Sequence, residues 1–208
     1  MATSIYVSDR EAIGVVVGGS AKKPKISRVE RLEFSPPGFD EEGNAFPPEM
    51  VADVRAVELK QWVKQKRLGG KVAATLDASH VIFRDIFIEF SDRKQIDKVI
   101  NYQVEGVIPS EPIESLCVGY VVDERSERGS RLTIAAAHRR RVRTLVEDLD
   151  FAQAKPMTCD SALGGILTLR RYSERLSHCD KPTVWVDLQD DVALLAVLEG
   201  EKMLSFRA

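Results

Sequence analysis

The chain has 208 residues, of which 44% are hydrophobic and 30% are charged, and its formal net charge is −2. This composition is typical of a soluble globular protein with one large or two small domains. The near-zero net charge gives no overall attraction to nucleic acid or anionic lipid. No apolar run approaches the roughly 18 residues of a membrane span, and the N-terminus lacks the pattern of a signal peptide. The three cysteines show no CxxC spacing, which suits a reducing cytosol and argues against a disulfide framework or a structural zinc site.

The first third of the chain predicts a three-stranded antiparallel meander, a long loop and a helix. The strands are residues 4–7, 12–17 and 26–34, which are separated by polar or glycine-containing turns. Residues 35–48 are rich in Pro, Gly and acid and predict a loop. A helix then begins at Pro48 or Glu49 and ends before Gly69–Gly70, with basic residues in its last turn. The strand at residues 71–76 comes after a helix, which predicts a crossover back to the first sheet.

The middle of the chain predicts a small α+β unit. Residues 81–90 are β-branched and aromatic and indicate a half-buried strand or two short strands. Ser91 and Asp92 are N-cap residues, and the apolar residues that follow recur at helical spacing until Pro109 ends the helix. Residues 116–122 and 131–137 predict two further strands, with the charged segment 123–130 as their hairpin loop.

The last third predicts two helices and a second meander. Residues 139–150 indicate a helix, 156–159 a short strand or extended link, and Asp160 and Ser161 cap a further helix. Strands at residues 183–188, 192–198 and 203–207 then repeat the strand–turn–strand–turn–strand order of the N-terminus. Such a duplicated meander is expected in the actin-like ATPase architecture.

Six short motifs in order sharpen this prediction. They are Glu105-Gly106-Val107-Ile108-Pro109, Tyr120, Ile134-Ala135-Ala136-Ala137-His138 with Val142, Ala152 with Lys155 and Pro156, Asp160 with Ala162-Leu163, and Val186-Asp187-Leu188. In this order the sequence resembles the PilM family, the actin-like cytoplasmic proteins of type IV pilus machines. The alternative relative is the cytoplasmic part of the GspL family of type II secretion, which is similar in fold and continues into a membrane helix.

The resemblance implies an α/β protein with an actin-like (ribonuclease H-like) fold that carries an inserted small α+β subdomain. The implied division is a first actin-like subdomain at residues 1–80, the insertion at 81–138, a return to the first subdomain at 139–182 and the start of a second subdomain at 183–208. More chain follows the second meander in the family, so we expect the sequence to be a fragment. The resemblance also implies a cytoplasmic location, peripheral to the inner membrane.

Actin-like ATPases hold phosphates with two hairpins of the Asp-x-Gly type, in which Gly lets the backbone approach phosphate and Asp organises Mg²⁺. The nucleotide-binding candidates here are Ser8, Asp9 and Asp187. An ungapped alignment puts Val7 at the position of the Asp and Asp9 at that of the Gly. In the second hairpin Gln189 replaces the Gly, and Asp190 and Asp191 follow. Together with Asp187 these carboxylates repel an anionic nucleotide unless a metal ion lies between them and the phosphates. We therefore favour the interpretation that both hairpins are tight polar turns over the interpretation that they bind phosphate, and we expect weak or no ATP binding.

The candidates for partner binding are Arg139, Arg140, Arg143 and Tyr120. Positive charge at the start of a helix opposes the helix dipole, which favours an external anionic partner, whereas the alternative is a solvated helix face with interleaved acids. A further cluster, His178-Cys179-Asp180, contains three metal-ligand types, but adjacent residues of a regular element cannot all point at one metal. We therefore expect a helix-end turn and no metal there.

The preferred functional prediction is a non-catalytic actin-like scaffold of a pilus or secretion assembly platform. In the family it resembles, the expected partners are the cytoplasmic tail of a PilN-like inner-membrane protein or a secretion ATPase. The edges of the predicted strands 81–90 and 116–122 are candidates for docking. The alternatives are an active actin-like ATPase, with ATP and Mg²⁺ as cofactors, and a nucleic-acid-binding module that uses the arginines. No cofactor and no nucleic acid are expected in the preferred case.

Overall fold

The computed structural model describes residues 2–20, 22–39, 42–172, 181–188, 192–199 and 202–208. The eleven strands of this part are β1 Ala2–Val7, β2 Glu11–Ser20, β3 Lys23–Glu33, β4 Gly70–Leu76, β5 Val81–Ile88, β6 Leu116–Ser126, β7 Gly129–His138, β8 Ala154–Asp160, β9 Thr183–Leu188, β10 Ala193–Glu199 and β11 Lys202–Arg207. The four α-helices are α1 Pro48–Lys66, α2 Arg93–Val107, α3 Arg139–Phe151 and α4 Ala162–Tyr172. The predicted meanders and the predicted helix between β5 and β6 are confirmed.

The chain divides into two compact units. The first unit consists of Met1–Asp77 and Arg143–Asp160, and the second of Ala78–Val142 and Ser161–Ala208. The division into four parts that the sequence predicts stays a prediction.

The first unit contains a five-stranded sheet with the order β3-β2-β1-β4-β8. Strands β1, β2 and β3 pair antiparallel, whereas β4 is parallel to β1 and β8 is parallel to β4. The crossover from α1 back to the first sheet is therefore confirmed. The chain between β4 and β8 forms a sheet of its own, so β8 returns to the first sheet after 77 intervening residues, 77–153.

The core of the first unit lies between this sheet and α1. Leu59, Trp62 and Val63 of α1 are buried, and so are Ile5 and Ala74 of the sheet. α1 begins with Pro48 as a first-turn residue and ends at Arg67 in the left-handed conformation, in accord with the end preferences of helices. On α3, Leu145 and Leu149 are buried, and the Phe151 ring lies 3.9 Å from the Lys60 ammonium of α1.

The second unit contains a three-stranded antiparallel sheet with the order β5-β7-β6. One face of this sheet packs against α2, whose Ile96, Ile100 and Val104 recur at helical spacing and are buried. The Asp92 carboxylate caps α2 because it accepts hydrogen bonds from the backbone N–H groups of Lys94 and Gln95, at 3.0 and 3.2 Å.

The hairpin between β6 and β7 differs from its prediction. Its strands continue through the charged segment, and the turn consists only of residues 127–128. Ladder pairing depends on the backbone, so charged side chains do not prevent it, and Glu124 lies opposite Arg131, a favourable cross-strand pair. The prediction of an eight-residue loop at residues 123–130 was therefore wrong. A β-bulge between Val122 and Glu124 leaves Asp123 without a partner residue in the ladder.

The C-terminal ribbon, defined as β9, β10 and β11, is an antiparallel sheet within the second unit. Phe206 of β11 is completely buried and meets Phe83 of β5 edge to face, with ring centroids 4.6 Å apart. Arg207 of β11 forms an ion pair with Asp85 of β5 at 2.7 Å, and the Arg131 guanidinium donates to the Leu204 carbonyl oxygen. Strand β11 therefore covers the face of the β5-β7-β6 sheet that is opposite to α2.

Two carboxylates on this covered face share one hydroxyl group. The buried Thr133 hydroxyl lies 2.8 Å from Asp123 Oδ2 and 3.1 Å from Asp85 Oδ1. The single hydroxyl proton can be donated to only one of the two carboxylates at a time, and Asp123 Oδ1 is buried with no hydrogen-bond partner among the described residues. Burial raises the pKa of Asp123 to about 6, assisted by the Asp85 charge and opposed by the Thr133 hydrogen bond and the Arg131 charge.

This raised pKa predicts a pH-dependent stability. The folded protein binds the Asp123 proton more tightly than the unfolded chain, so its stabilisation is complete below about pH 4 and is lost as the pH rises through about 6. We expect Asp123→Asn to increase the free energy of unfolding relative to the natural protein more at pH 7.5 than at pH 5. Urea unfolding of both proteins at the two pH values measures this difference. An equal effect at both pH values would contradict the assignment.

Candidate nucleotide-binding edge and partner surface

The carboxyl ends of the three parallel strands of the first unit lie at one edge of its sheet. Val7 of β1 is in register with Leu76 of β4, and Thr75 of β4 with Asp160 of β8. Ser8, Asp77 and Asp160 are therefore brought to this edge from distant parts of the sequence. In open α/β sheets, ligands bind outside the carboxyl ends of the strands, so this edge is the candidate nucleotide-binding site.

The side chain of Ser8 is used within its own turn. Its hydroxyl accepts from the backbone N–H groups of Arg10 and Glu11, at 3.2 and 3.1 Å, and donates to the Glu11 carbonyl oxygen at 3.3 Å. Asp9 is exposed and pairs with Arg55 of α1 at 3.4 Å. The structure thus brings these two predicted residues together, and both have partners inside the protein.

Sequence reasoning missed Asp77 as a residue of this edge. It directly follows β4, is 9% exposed, and accepts a hydrogen bond of 2.6 Å from the Tyr6 hydroxyl. Burial raises the pKa of Tyr6, and the hydrogen bond to Asp77 and the Asp77 charge raise it further, so the phenol stays a neutral donor at physiological pH. An acid placed directly after a predicted strand was the signal that could have found it.

The third nucleotide-binding candidate, Asp187, lies on β9 in the second unit and is half-buried. Gln189, Asp190 and Asp191 of its hairpin lie outside the described residues, as does the cluster His178-Cys179-Asp180. Across the described part of the chain, no group of three or more His, Cys, Asp or Glu side chains is placed to hold a metal ion.

The predicted partner-binding arginines lie in the first turns of α3 and are exposed. Arg139 is structurally committed, because its guanidinium donates to the carbonyl oxygens of Glu114 and Leu116, at 3.1 and 3.0 Å. It thereby holds the start of β6. Tyr120 of β6 is half-buried, and its hydroxyl donates to Asp97 of α2 at 2.5 Å. Burial raises the pKa of Tyr120, and Asp97 adds to this effect.

Both edges of the β5-β7-β6 sheet are strands that the sequence singles out for docking. In the described sheet, β5 and β6 each pair only with the central strand β7. An outer strand presents unpaired backbone groups to a second chain, which is the geometry that strand addition requires. Within the described residues, no helix has both the length and the hydropathy of a membrane-spanning segment.

Comparison with known proteins identifies structural relatives only. The sequence matches no protein-family model, and no curated protein matches it. A chain of the PilM-PilN type IV pilus biogenesis complex matches with a TM-score of 0.78 and 23% identity, over 99% of this chain and 60% of that chain. The cytoplasmic domain of EpsL, an inner-membrane component of the type II secretion system of Vibrio cholerae, matches with a TM-score of 0.59 and 11% identity, over 95% and 68%.

A third solved structure, a Bacteroides thetaiotaomicron protein with an actin-like ATPase fold and unknown function, matches with a TM-score of 0.52 and 11% identity, over 99% of this chain and 68% of that chain. This chain thus spans less than two thirds of the matched chain of the PilM-PilN complex. The described residues have an actin-like α/β fold, and they resemble in fold a chain of the PilM-PilN complex and the cytoplasmic domain of EpsL.

Proposed function

We propose that this chain is a non-catalytic actin-like scaffold in the inner-membrane assembly platform of a type IV pilus or type II secretion system. The observation that carries this proposal is the similarity in fold, over nearly the whole chain, to a chain of the PilM-PilN complex. The proposed location is the cytoplasmic face of the inner membrane, where partner proteins hold the scaffold. The proposed partner is the cytoplasmic tail of a PilN-like inner-membrane protein, with a secretion ATPase as the alternative.

The absence of ATP hydrolysis is proposed from the chemistry of the candidate nucleotide-binding edge. Ser8 and Asp9 are engaged in local contacts that a nucleotide would have to replace. Asp9, Asp77 and Asp160 place three carboxyl groups on turns or strand ends of this edge. Carboxylates repel a triphosphate unless a bound cation neutralises them, which supports weak nucleotide binding.

An active actin-like ATPase is the second candidate function. The specific observation in its favour is Asp77, a buried acid at the carboxyl end of β4 beside the end of β1. In that case ATP with Mg²⁺ would be the cofactor, and Asp77 and Asp9 would orient the metal and its water. Micromolar affinity for Mg·ATP, measured by calorimetry and abolished by Asp77→Asn, would replace the scaffold proposal by this one.

The proposed docking surface for the partner tail lies in the second unit and combines the outer edge of β6 with Arg140 at the start of α3. Main-chain pairing to an outer strand supplies affinity, and the exposed Arg140 offers positive charge to an anionic segment of the tail. The position of Arg140 at the start of a helix, where positive charge is unfavourable for the helix itself, supports a role in binding.

A peptide-binding measurement tests this proposal. A synthetic peptide of the cytoplasmic tail of the PilN-like protein from the same organism should bind with micromolar affinity. The substitution Arg140→Glu should weaken binding about fivefold, because an exposed ion pair contributes up to about 1 kcal/mol. The matched control is Lys25→Glu, which changes the net charge equally at an exposed position of β3 that is not part of the docking surface. If the tail peptide does not bind at high micromolar concentration, the scaffold proposal is wrong.

A further inference from the structure

Helix α1 is apolar on two opposite sides. Leu59, Trp62 and Val63 are buried against the sheet of the first unit. Met50, Val54 and Val57 follow one another at i, i+4 and i+7, and each is 46% exposed. At 3.6 residues per turn these three side chains lie within about 60° of one another and on the side of the helix away from the buried residues. We call these three residues the outer stripe.

One flank of the outer stripe carries four charged residues in a regular order. They are Glu49, Asp53, Lys60 and Lys64, all exposed, and helical geometry places them within about 60° of one another. Each acid therefore has an acid one turn away and each lysine has a lysine one turn away. Like charges at i and i+4 destabilise a helix by a few tenths of a kcal/mol.

The helix dipole favours Glu49 in the first turn of α1 and Lys64 in the last turn, but the charges of this flank form no ion pairs with described residues. Asp53 and Lys60 are seven residues apart, about 10 Å along the axis, which is too far for an ion pair. Neither acid and neither lysine forms an ion pair with another residue in the described ranges, although Lys60 lies over the Phe151 ring. The flank thus carries two negative charges toward one end and two positive charges toward the other, with no ion pair to any described residue.

The order acid–acid–base–base is its own complement when the helix is reversed. A twofold axis between residues 56 and 57 brings Asp53 level with Lys60 of a second copy, and Glu49 level with Lys64 of that copy, because both pairs are centred on the same point. Such an axis also keeps the same flank of both helices on the same side. Measured along the helix, Val57 and Val54 lie about 1 and 4 Å from the axis, so these two residues of each stripe meet those of the second copy beside four acid–base pairs. Met50 lies about 10 Å from the axis and does not meet the stripe of the second copy.

From this self-complementarity we propose that the outer face of α1 is the contact surface of a homodimer with antiparallel α1 helices. The interface is isologous, because the same patch is used on both copies. A single helix face buries less than the roughly 1,200–2,000 Å² that stable interfaces bury, so the dimer is weak. Its ion pairs are exposed, so its association is also salt-sensitive. Local enrichment on an assembly platform would favour it. The proposal does not depend on which pilus or secretion partner binds elsewhere.

A charge-swap experiment tests the dimer. Variant A carries Lys60→Glu with Lys64→Glu, and variant B carries Glu49→Lys with Asp53→Lys. Each variant has a flank of one sign, so each should self-associate at least about tenfold more weakly than the natural chain. An equimolar mixture of A and B should associate again, since the flank of one complements that of the other. Sedimentation velocity in about 0.1 M salt, where the Debye length is about 10 Å, measures all three samples.

Two controls keep the result specific. Lys94→Glu with Lys98→Glu changes two exposed lysines with the same spacing on α2 and should leave association unchanged. Val57→Asp, which leaves all four charges in place, should abolish association, whereas Tyr102→Asp at an 81% exposed position should not. Circular dichroism verifies that each variant is folded, and Val57→Asp still decides the question if variant A or B is not. The proposal is wrong if the natural chain stays monomeric at high micromolar concentration. It is also wrong if variants A and B each self-associate and their mixture associates no more strongly than either variant alone.

Discussion

Replacement of Gly129 by alanine is expected to lower the free energy of unfolding by about 3 kcal/mol or more. Gly129 begins β7 with a φ of +142°, a conformation that side-chain-bearing residues rarely adopt. A Cβ atom at this position would lie 2.1 Å from the Ile88 carbonyl oxygen and 2.9 Å from the Glu89 Cα atom. Both obstacles are backbone atoms of the neighbouring chain segment, so relief requires the hairpin or the end of β5 to move.

Gly106→Ala is the matched control for this substitution. Gly106 lies in α2, is exposed, and a Cβ atom there meets nothing within 4 Å. Alanine is the better helix former by up to about 1 kcal/mol, so this variant should be as stable as the natural chain or slightly more stable. Urea unfolding followed by circular dichroism compares the two. Similar destabilisation by both substitutions would show that the Gly129 turn is not constrained as described.

The second large effect is expected for Phe206→Ala, which should cost about 3–5 kcal/mol. The Phe206 ring is completely buried, and it meets the Phe83 ring, which is 3% exposed, in an edge-to-face arrangement. Truncation to alanine removes this contact and leaves a cavity between β11 and the β5-β7-β6 sheet. The lost attachment of the C-terminal ribbon should lower the thermal midpoint by about 10 °C, at about 2–4 °C per kcal/mol for a chain of this size.

Leu188→Ala provides the comparison for Phe206→Ala. Leu188 lies in the same ribbon but is 78% exposed, so its truncation should change the free energy of unfolding by less than about 0.5 kcal/mol. Differential scanning calorimetry of both variants distinguishes a buried attachment from a general sensitivity of the ribbon. Equal losses at the two positions would contradict the packing described for β11.

The local spacing of apolar residues was sufficient to predict most of the strands and helices. The β-branched alternation of the two meanders and the four-residue spacing of Ile96, Ile100 and Val104 predict strands and a helix, because these periods follow from backbone geometry alone. The residues resembling the PilM family predict the actin-like fold, which the comparison of structures confirms. The hairpin near Asp123 was predicted incorrectly because strand pairing is a property of the backbone and tolerates charged side chains.

The candidate site was accessible from the sequence only in part. Ser8 and Asp9 are in one turn and could be named together, but their internal partners depend on hydrogen bonds that a motif does not record. Asp77 reaches the same edge from β4, about 70 residues away along the chain, because β1 and β4 are parallel neighbours. Parallel pairing of distant strands leaves no periodic trace in a single sequence.

The sequence by itself determined which segments are strands and helices, since the spacing of apolar residues encodes the direction in which each side chain points. Helical spacing places the apolar side chains of α1 on two of its sides. Only the tertiary structure decided that Leu59, Trp62 and Val63 face the sheet while Met50, Val54 and Val57 remain exposed. The physical reason is that burial depends on which surfaces meet in space, and a helix with two apolar sides offers either one equally until the sheet has formed.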